Sequence, residues 1–328
     1  VMRKFLTVAA IMAMAASFTA VETAQAAKQF TIAIGSARGT MGRLGAGLSE
    51  LLNKKQAGVK YSVVPGGGGR ANPARVGSGG TDFGYSFSNF SAAAYAGKTP
   101  FKKAYPNLRG VSTFYSSCYH QYVGAELYKA GYKNWKAMAT SKKPLNIAMS
   151  KKGTSTEYVA QLAVKMYGTS YKELVKKGFK LTFPGAGGMS RAIRSRQIDF
   201  YFHNSGDPNG AGIQATLGRD LRLMQMEDDM KKMLKSNGFS ACTIPGGMYK
   251  GNPNPTSSMG LNGVLLTTDK MDPNVVYNML KLTKENKKFL TGVHKIYGSW
   301  DAMKAGKGVG VPMHPGAKRF FKEIGGAM

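Results

Sequence analysis

Acidic side chains are scarce in this sequence. Its 328 residues carry 17 Asp and Glu against 46 Lys and Arg, a formal charge of +29. A catalytic pair of carboxylates therefore has few candidates. The four histidines, His120, His203, His294 and His314, show no His-Glu-x-x-His pattern and no close pairing, which argues against a metal centre. The two cysteines, Cys118 and Cys242, lack metal-ligand spacing and form no Cys-x-x-Cys motif. No Gly-x-Ser-x-Gly elbow occurs, and no Gly-rich turn ends in Gly-Lys-Ser/Thr, so neither a hydrolase elbow nor a Walker loop is present. Beyond the first two dozen residues there is no long uncharged apolar run.

The basic excess admits a nucleic-acid binder or an exported protein with a basic surface near anionic lipid or an anionic ligand. The lysines and arginines are scattered, with no basic arm and no nucleic-acid motif, so no nucleic-acid partner is expected. Most of them read as a solvated face.

The front end carries a compartment signal. Arg3 and Lys4 precede an uncharged, largely apolar run from Phe5 to Val21, and Ala24-Gln25-Ala26 supplies small residues at signal-peptidase spacing. The run is short for a membrane span, which needs about 20 apolar residues. Residues 1–26 are expected to be a signal peptide cleaved near Ala26, leaving a periplasmic protein. There Cys118 and Cys242 can pair, closing a loop worth about 4–5 kcal/mol in the chain-entropy model, or stay free; the sequence leaves both open.

One pattern occurs twice. IAIGSARGT (Ile32–Thr40), a helical stretch, VVPGGGG (Val63–Gly69) and Asp82-Phe83 are echoed by IAMSKKGT (Ile147–Thr154), a helical stretch, TFPGAGG (Thr182–Gly188) and Asp199-Phe200. Each copy predicts strand, Gly/Ser/Thr turn, helix, strand, Pro-Gly turn, short helix and strand. Two such α/β halves suggest lobes facing a cleft. Thr40 is predicted to cap a helix running to about Lys54, and Thr154 with Glu157 forms a capping box. Leu108 to Val123 reads as a strand pair leaving the first lobe. Tyr249 to Ser258, rich in Gly, Asn and Pro, reads as an exposed loop. Asp82 and Asp199 read as turn-holding residues, and His314, before Pro-Gly at a helix start, as structural.

A strand, a tight turn and a helix N-terminus together make an anion site, because unpaired N–H groups and the helix dipole point outward. That device occurs at Ser36–Thr40 and again at Ser150–Thr156. Arg70, just after four glycines, offers a bidentate partner for a carboxylate. The spacing Gly35-x-x-x-Gly39-x-x-Gly42 is not the full dinucleotide fingerprint, so no cofactor is expected.

These residues resemble a family. The Gly-Thr opening within Ile32–Gly47, the Pro-Gly turn followed by Arg70, Asn72 and Asp82-Phe83, Gly153-Thr154, Gln197-Ile198-Asp199, Ile244-Pro245 with Tyr249, and Pro312-Met313-His314-Pro315-Gly316-Ala317 are similar to those of the TAXI-type solute-binding receptors of tripartite ATP-independent periplasmic (TRAP) transporters. The resemblance spans nearly all of the chain after residue 26. It implies an α/β, type II periplasmic-binding-protein-like fold, two lobes closing on a small organic acid, and delivery to membrane permease subunits. Family members are associated with glutamate, related amino acids and dicarboxylates. The chain departs where the family has an aromatic pair and here stand Met41-Gly42, where the Gly-rich turn usually carries Ser or Thr, and at Lys151-Lys152.

Lobe I is expected at 28–120 plus 256–328 and lobe II at 121–255. The expected ligand contacts are Gly39, Thr40, Met41, Gly68, Arg70, Ser86, Asn89, Thr154, Ser155 and Thr156, with no catalytic or metal-binding residue. The partners expected are a small anionic solute and a TRAP permease, the protein itself being a monomer. The alternatives are an exported enzyme on an anionic substrate, which lacks a visible nucleophile–base pair, and a surface protein binding anionic polymer or lipid.

Overall fold

The computed structural model describes residues 27–328. The expected signal peptide lies outside the described residues.

The chain opens with β1 (Lys28–Ala33), whose Phe30 and Ile32 turn inward, and passes through a tight turn into α1 (Thr40–Lys55). Leu44, Leu48, Leu51 and Leu52 recur at helical spacing and are all buried, so one face of α1 docks on the sheet. There follow β2 (Val59–Val64), α2 (Gly68–Gly77), β3 (Phe83–Phe87), α3 (Ser88–Ala96) and the 17-residue β4 (Leu108–Gly124). After α4 (Ala125–Lys129) and α5 (Trp135–Ala139) come β5 (Asn146–Ala148), α6 (Ser155–Met166), α7 (Tyr171–Lys176), β6 (Lys180–Thr182), α8 (Ala186–Arg194) and β7 (Phe200–Gly206). Then α9 (Gly210–Gly218), β8 (Leu221–Leu223), α10 (Asp228–Ser236) and β9 (Ser240–Ile244) lead to β10 (Thr256–Thr268). The last segment holds α11 (Pro273–Glu285), α12 (Lys287–Val293) and α13 (Pro315–Glu323).

Both halves of the internal repeat take the same form. β1 sits between β2 and β3, parallel to both, and β5 sits between β6 and β7, parallel to both. The sheet order β2-β1-β3-β10-β4-β7-β5-β6 therefore places two like units back to back. The two aspartates do equivalent work. Asp82 Oδ2 accepts hydrogen bonds from the Thr31 N–H and hydroxyl, both 2.8 Å, and Asp199 Oδ2 accepts from the Asn146 N–H at 2.7 Å. His314 is structural too: its side chain accepts from the Gly316 N–H at the start of α13, and its other ring nitrogen lies 3.0 Å from the Met271 carbonyl.

β4 is one strand, where the sequence predicted two. Its first part pairs with β10 from Leu108 to Cys118 and its last part with β7 from Ser117 to Val123, so it changes partner without a turn. β10 likewise pairs with β9 over Thr256–Gly260 and with β3 over Gly263–Leu266. These two strands join the lobes near Ser117 and Leu261. Tyr249 is not on an exposed loop: it is buried, and its hydroxyl accepts from the Asn209 N–H at 2.7 Å and lies 2.9 Å from His120 Nε2.

Cys118 of β4 and Cys242 of β9 form a disulfide across the intervening β10. Gly260 of β10 lies under that bridge, where a Cβ would stand 1.7 Å from the Ser117 carbonyl oxygen and 3.2 Å from Cys242 Sγ. Only glycine admits this crossing. The bridged cysteines are 124 positions apart in sequence. Reduction is expected to lower the unfolding free energy by about 5 kcal/mol, read as a lower urea midpoint with and without reductant; equal midpoints would contradict it.

Candidate functional site

A partly open cavity of about 50 Å³ lies where the two lobes meet. Its wall includes Ser36, Gly39, Thr40, Met41, Gly68 and Gly69 from the first lobe and Ser150, Thr154, Ser155, Thr156, His203 and Asn204 from the second, with Phe87 and Tyr115. The cavity collects three helix N-termini: α1 beginning at Thr40, α2 beginning at Gly68 and α6 beginning at Ser155. Each helix presents N–H groups without intrahelical partners and a partial positive charge. Among the described residues, no Asp, Glu, Lys or Arg lines the cavity.

Local sequence explains each terminus. Gly39, not Thr40, is the N-cap of α1 and supplies no side-chain cap, so Thr40 is the first helical residue. Its hydroxyl is thereby left to meet the Ser205 hydroxyl of the second lobe at 3.0 Å. Thr154 does cap α6, accepting from the Glu157 N–H at 3.2 Å. Thr156 Oγ1 accepts from the Asn204 N–H at 2.9 Å, and Ser155 Oγ accepts from Asn204 Nδ2 at 3.3 Å, which fixes the wall against the end of β7. Gly68 has φ +67°, and a Cβ there would stand 3.4 Å from Thr154 Cγ2, so the lobes close backbone to side chain.

Of the ten residues singled out by sequence, Gly39, Thr40, Met41, Gly68, Thr154, Ser155 and Thr156 come together around this cavity. Three stand outside its wall. Ser86 is buried and donates to the Gly69 carbonyl at 2.7 Å. Asn89 donates to the Asn237 carbonyl at 3.0 Å, across the lobes. Arg70 pairs with Glu157 of the second lobe at 3.3 Å, and its guanidinium sits 5.3 Å from the Tyr158 ring centre. Its charge is engaged in holding the lobes together rather than left free toward the cavity. Tyr158 in turn packs edge-on against Phe90 at 5.4 Å.

His203, Asn204 and Tyr115 carried no signal as cavity residues in the sequence. His203 and Asn204 lie at the end of a strand in the second copy of the repeat, the edge that faces a cleft in open α/β sheets. His203 Nδ1 and Asn204 Oδ1 are buried without hydrogen-bond partners. Burial, aided by the neighbouring His120, pushes the His203 pKa down to about 4, so the ring is neutral at pH 7. No serine or threonine hydroxyl among the described residues is hydrogen-bonded to it. The cavity thus offers helix-terminal N–H groups, hydroxyls and a neutral imidazole: a wall suited to a dehydrated anion that also bears a polar group.

Fold and cavity define a mixed α/β protein in which two like units face one cleft. The chain belongs to the NMT1-like family, whose model matches residues 32–325. Among solved structures it is similar to the alkanesulfonate-binding protein SsuA from Xanthomonas axonopodis pv. citri bound to MOPS, at 14% identity over 90% of this chain and 83% of that one, with a TM-score of 0.41. It is also similar to an ABC-type phosphate transport receptor from Vibrio cholerae, at 14% identity over 81% of this chain and 98% of that one, with a TM-score of 0.45.

Two outcomes follow from this geometry. Glu157 is only 2% exposed in its side chain, so Arg70→Ala leaves a buried carboxylate without its cation, held only by the Gln161 amide, and is expected to cost on the order of 3 kcal/mol. Glu157→Gln in the same background should restore most of it, as read by urea denaturation; a single-variant loss within experimental error would contradict the pairing. His203 has a folded pKa of about 4 against its ordinary 6.5, so the unfolded chain binds the extra proton between those values. Stability is therefore expected to rise with pH through that window and to fall as pH drops from 6.5 toward 4. His294 and His314 are also lowered, chiefly by burial. His203→Gln should accordingly flatten the slope of the urea midpoint against pH without abolishing it; an unchanged slope would contradict a buried neutral His203.

Proposed function

We propose that this chain is a solute-binding receptor that closes two lobes on a compact anionic organic acid and presents it to a membrane permease. The observation that carries the proposal is the convergence of three helix N-termini, from both lobes, on one cavity with no charged side chain in its wall. Helix termini neutralise a carboxylate without a buried counter-charge. Release then breaks no buried ion pair, which suits a protein that must hand its cargo on. The unpartnered His203 Nδ1 and Asn204 Oδ1 favour an acid that also carries a hydroxyl or amino group.

The space supports a ligand class as well. A cavity of about 50 Å³ equals roughly four water-sized spheres. A small hydroxy, keto or amino acid suits this closed form, and an acid the size of glutamate needs the lobes set wider. The lobes are assigned as 28–120 plus 256–328 and 121–255, with β4 and β10 as the hinge. The receptor acts as an exported, periplasmic monomer, and its permease is of the TRAP type, in keeping with the TAXI resemblance.

The test is a thermal shift and titration of the purified protein, refolded to remove bound solute, against hydroxy, keto and amino acids. A selective rise in midpoint with one acid class is expected, because only ligand bound to the folded state raises it. Thr40→Val should weaken that acid about 10-fold, the loss expected for one hydrogen bond to a charged group. No shift with any acid would contradict the receptor assignment, and consumption of the bound acid would make the protein an exported enzyme.

A further inference from the structure

A second cavity between the lobes, of about 440 Å³, has the opposite character from the first. Arg38 and Arg43 reach it from the turn and first helical turn of α1, and Arg191 and Arg194 from α8, with Ser190 and Gln214 completing its polar wall. All four arginines are exposed. The arginines that do hold carboxylates are Arg70, Arg109, Arg196, Arg219 and Arg222. Among the described residues, none of the four around this cavity is in an ion pair.

Two of them meet across the lobe boundary. A Cβ at Gly187 on α8 would stand 3.0 Å from Arg38 Cδ and 3.8 Å from Arg191 Nη1, so these side chains lie next to each other over that glycine. Closing the lobes therefore gathers four like charges, two from each side. Solvent and salt screen part of that repulsion, and among the described residues no acidic side chain lines the cavity. Four guanidinium forks around one cavity form a donor array that matches the oxygens of phosphate better than any single-charged acid.

We propose that this cavity is a second anion site, taking a soluble phosphate anion with at least two charges and bridging the lobes when they close. It is independent of the solute in the inner cavity, whose wall carries no cation. Because each lobe supplies half of the arginines, the site exists only in the closed form, and its occupant favours closure by removing the repulsion.

Titration calorimetry of the purified protein with inorganic pyrophosphate at fixed ionic strength tests this. One pyrophosphate per chain is expected. Arg38→Gln with Arg43→Gln, and separately Arg191→Gln with Arg194→Gln, should each weaken it about 10- to 100-fold, the range for losing charged hydrogen bonds. Lys232→Gln with Lys235→Gln removes the same charge from the exposed face of α10 and should change it less than about twofold, as expected for screened surface charge. Equal loss in the lysine control, or loss with the arginines of only one lobe, would overturn the bridging site. Binding to phosphatidic acid vesicles without binding to pyrophosphate would overturn the soluble ligand.

Discussion

The pairing of β4 with β10 is the constraint from which the rest of the molecule follows. Each strand pairs with strands of both α/β units, and each exchanges partners where they cross, near Ser117 and Leu261. Backbone hydrogen bonds at that crossing fix the twist between the two α/β units, and the disulfide from Cys118 to Cys242 clamps the three adjacent strands there. With the crossing set, the ends of β1, β2 and β5 are brought toward one space. The helix termini that follow them must then meet in the same space.

What meets there is a balance of attractions and repulsions. The Arg70–Glu157 pair, the Thr40–Ser205 hydroxyls, the Asn89–Asn237 hydrogen bond and the Phe90–Tyr158 contact draw the lobes together. The helix dipoles around the inner cavity and the arginines around the outer one push them apart, since like partial charges face each other across each gap. An anion in the inner cavity turns the first repulsion into attraction. That is a physical basis for coupling closure to capture, with differential contacts in the open and closed forms as the driving term.

Much of this was legible in the residues. The repeated Gly/Ser/Thr turns marked both α1 and α6, because a turn followed by leucine or alanine at helical spacing leaves little else to form. Asp82 and Asp199 read as turn holders, but they tie the starts of β3 and β7 to β1 and β5, partners 51 and 53 residues away that no local pattern reveals. The 17-residue β4 was not, because it is about three times the usual strand length and a run that long suggests a hairpin. Arg70 looked like a ligand group because its true partner, Glu157, lies 87 residues away and appears locally as the last residue of a capping box. Ser205, Asn204 and His203 gave no sign, since polar residues closing a strand are common and only the crossing brings them to the cavity. Tyr115 reaches it from within β4, so its role waited on the strand's path.

In the proposed receptor, backbone N–H groups at three helix starts hold the solute. Amide nitrogen and proton chemical shifts of the protein, followed while the acid that raises its melting midpoint is added, read this contact residue by residue. The largest shifts are expected at the opening residues of the three helices, including Met41, Gly69, Ser155 and Thr156, all in the cavity wall, with small effects elsewhere on the basic surface. Shifts spread over surface lysines and arginines, with those amides unmoved, would contradict it.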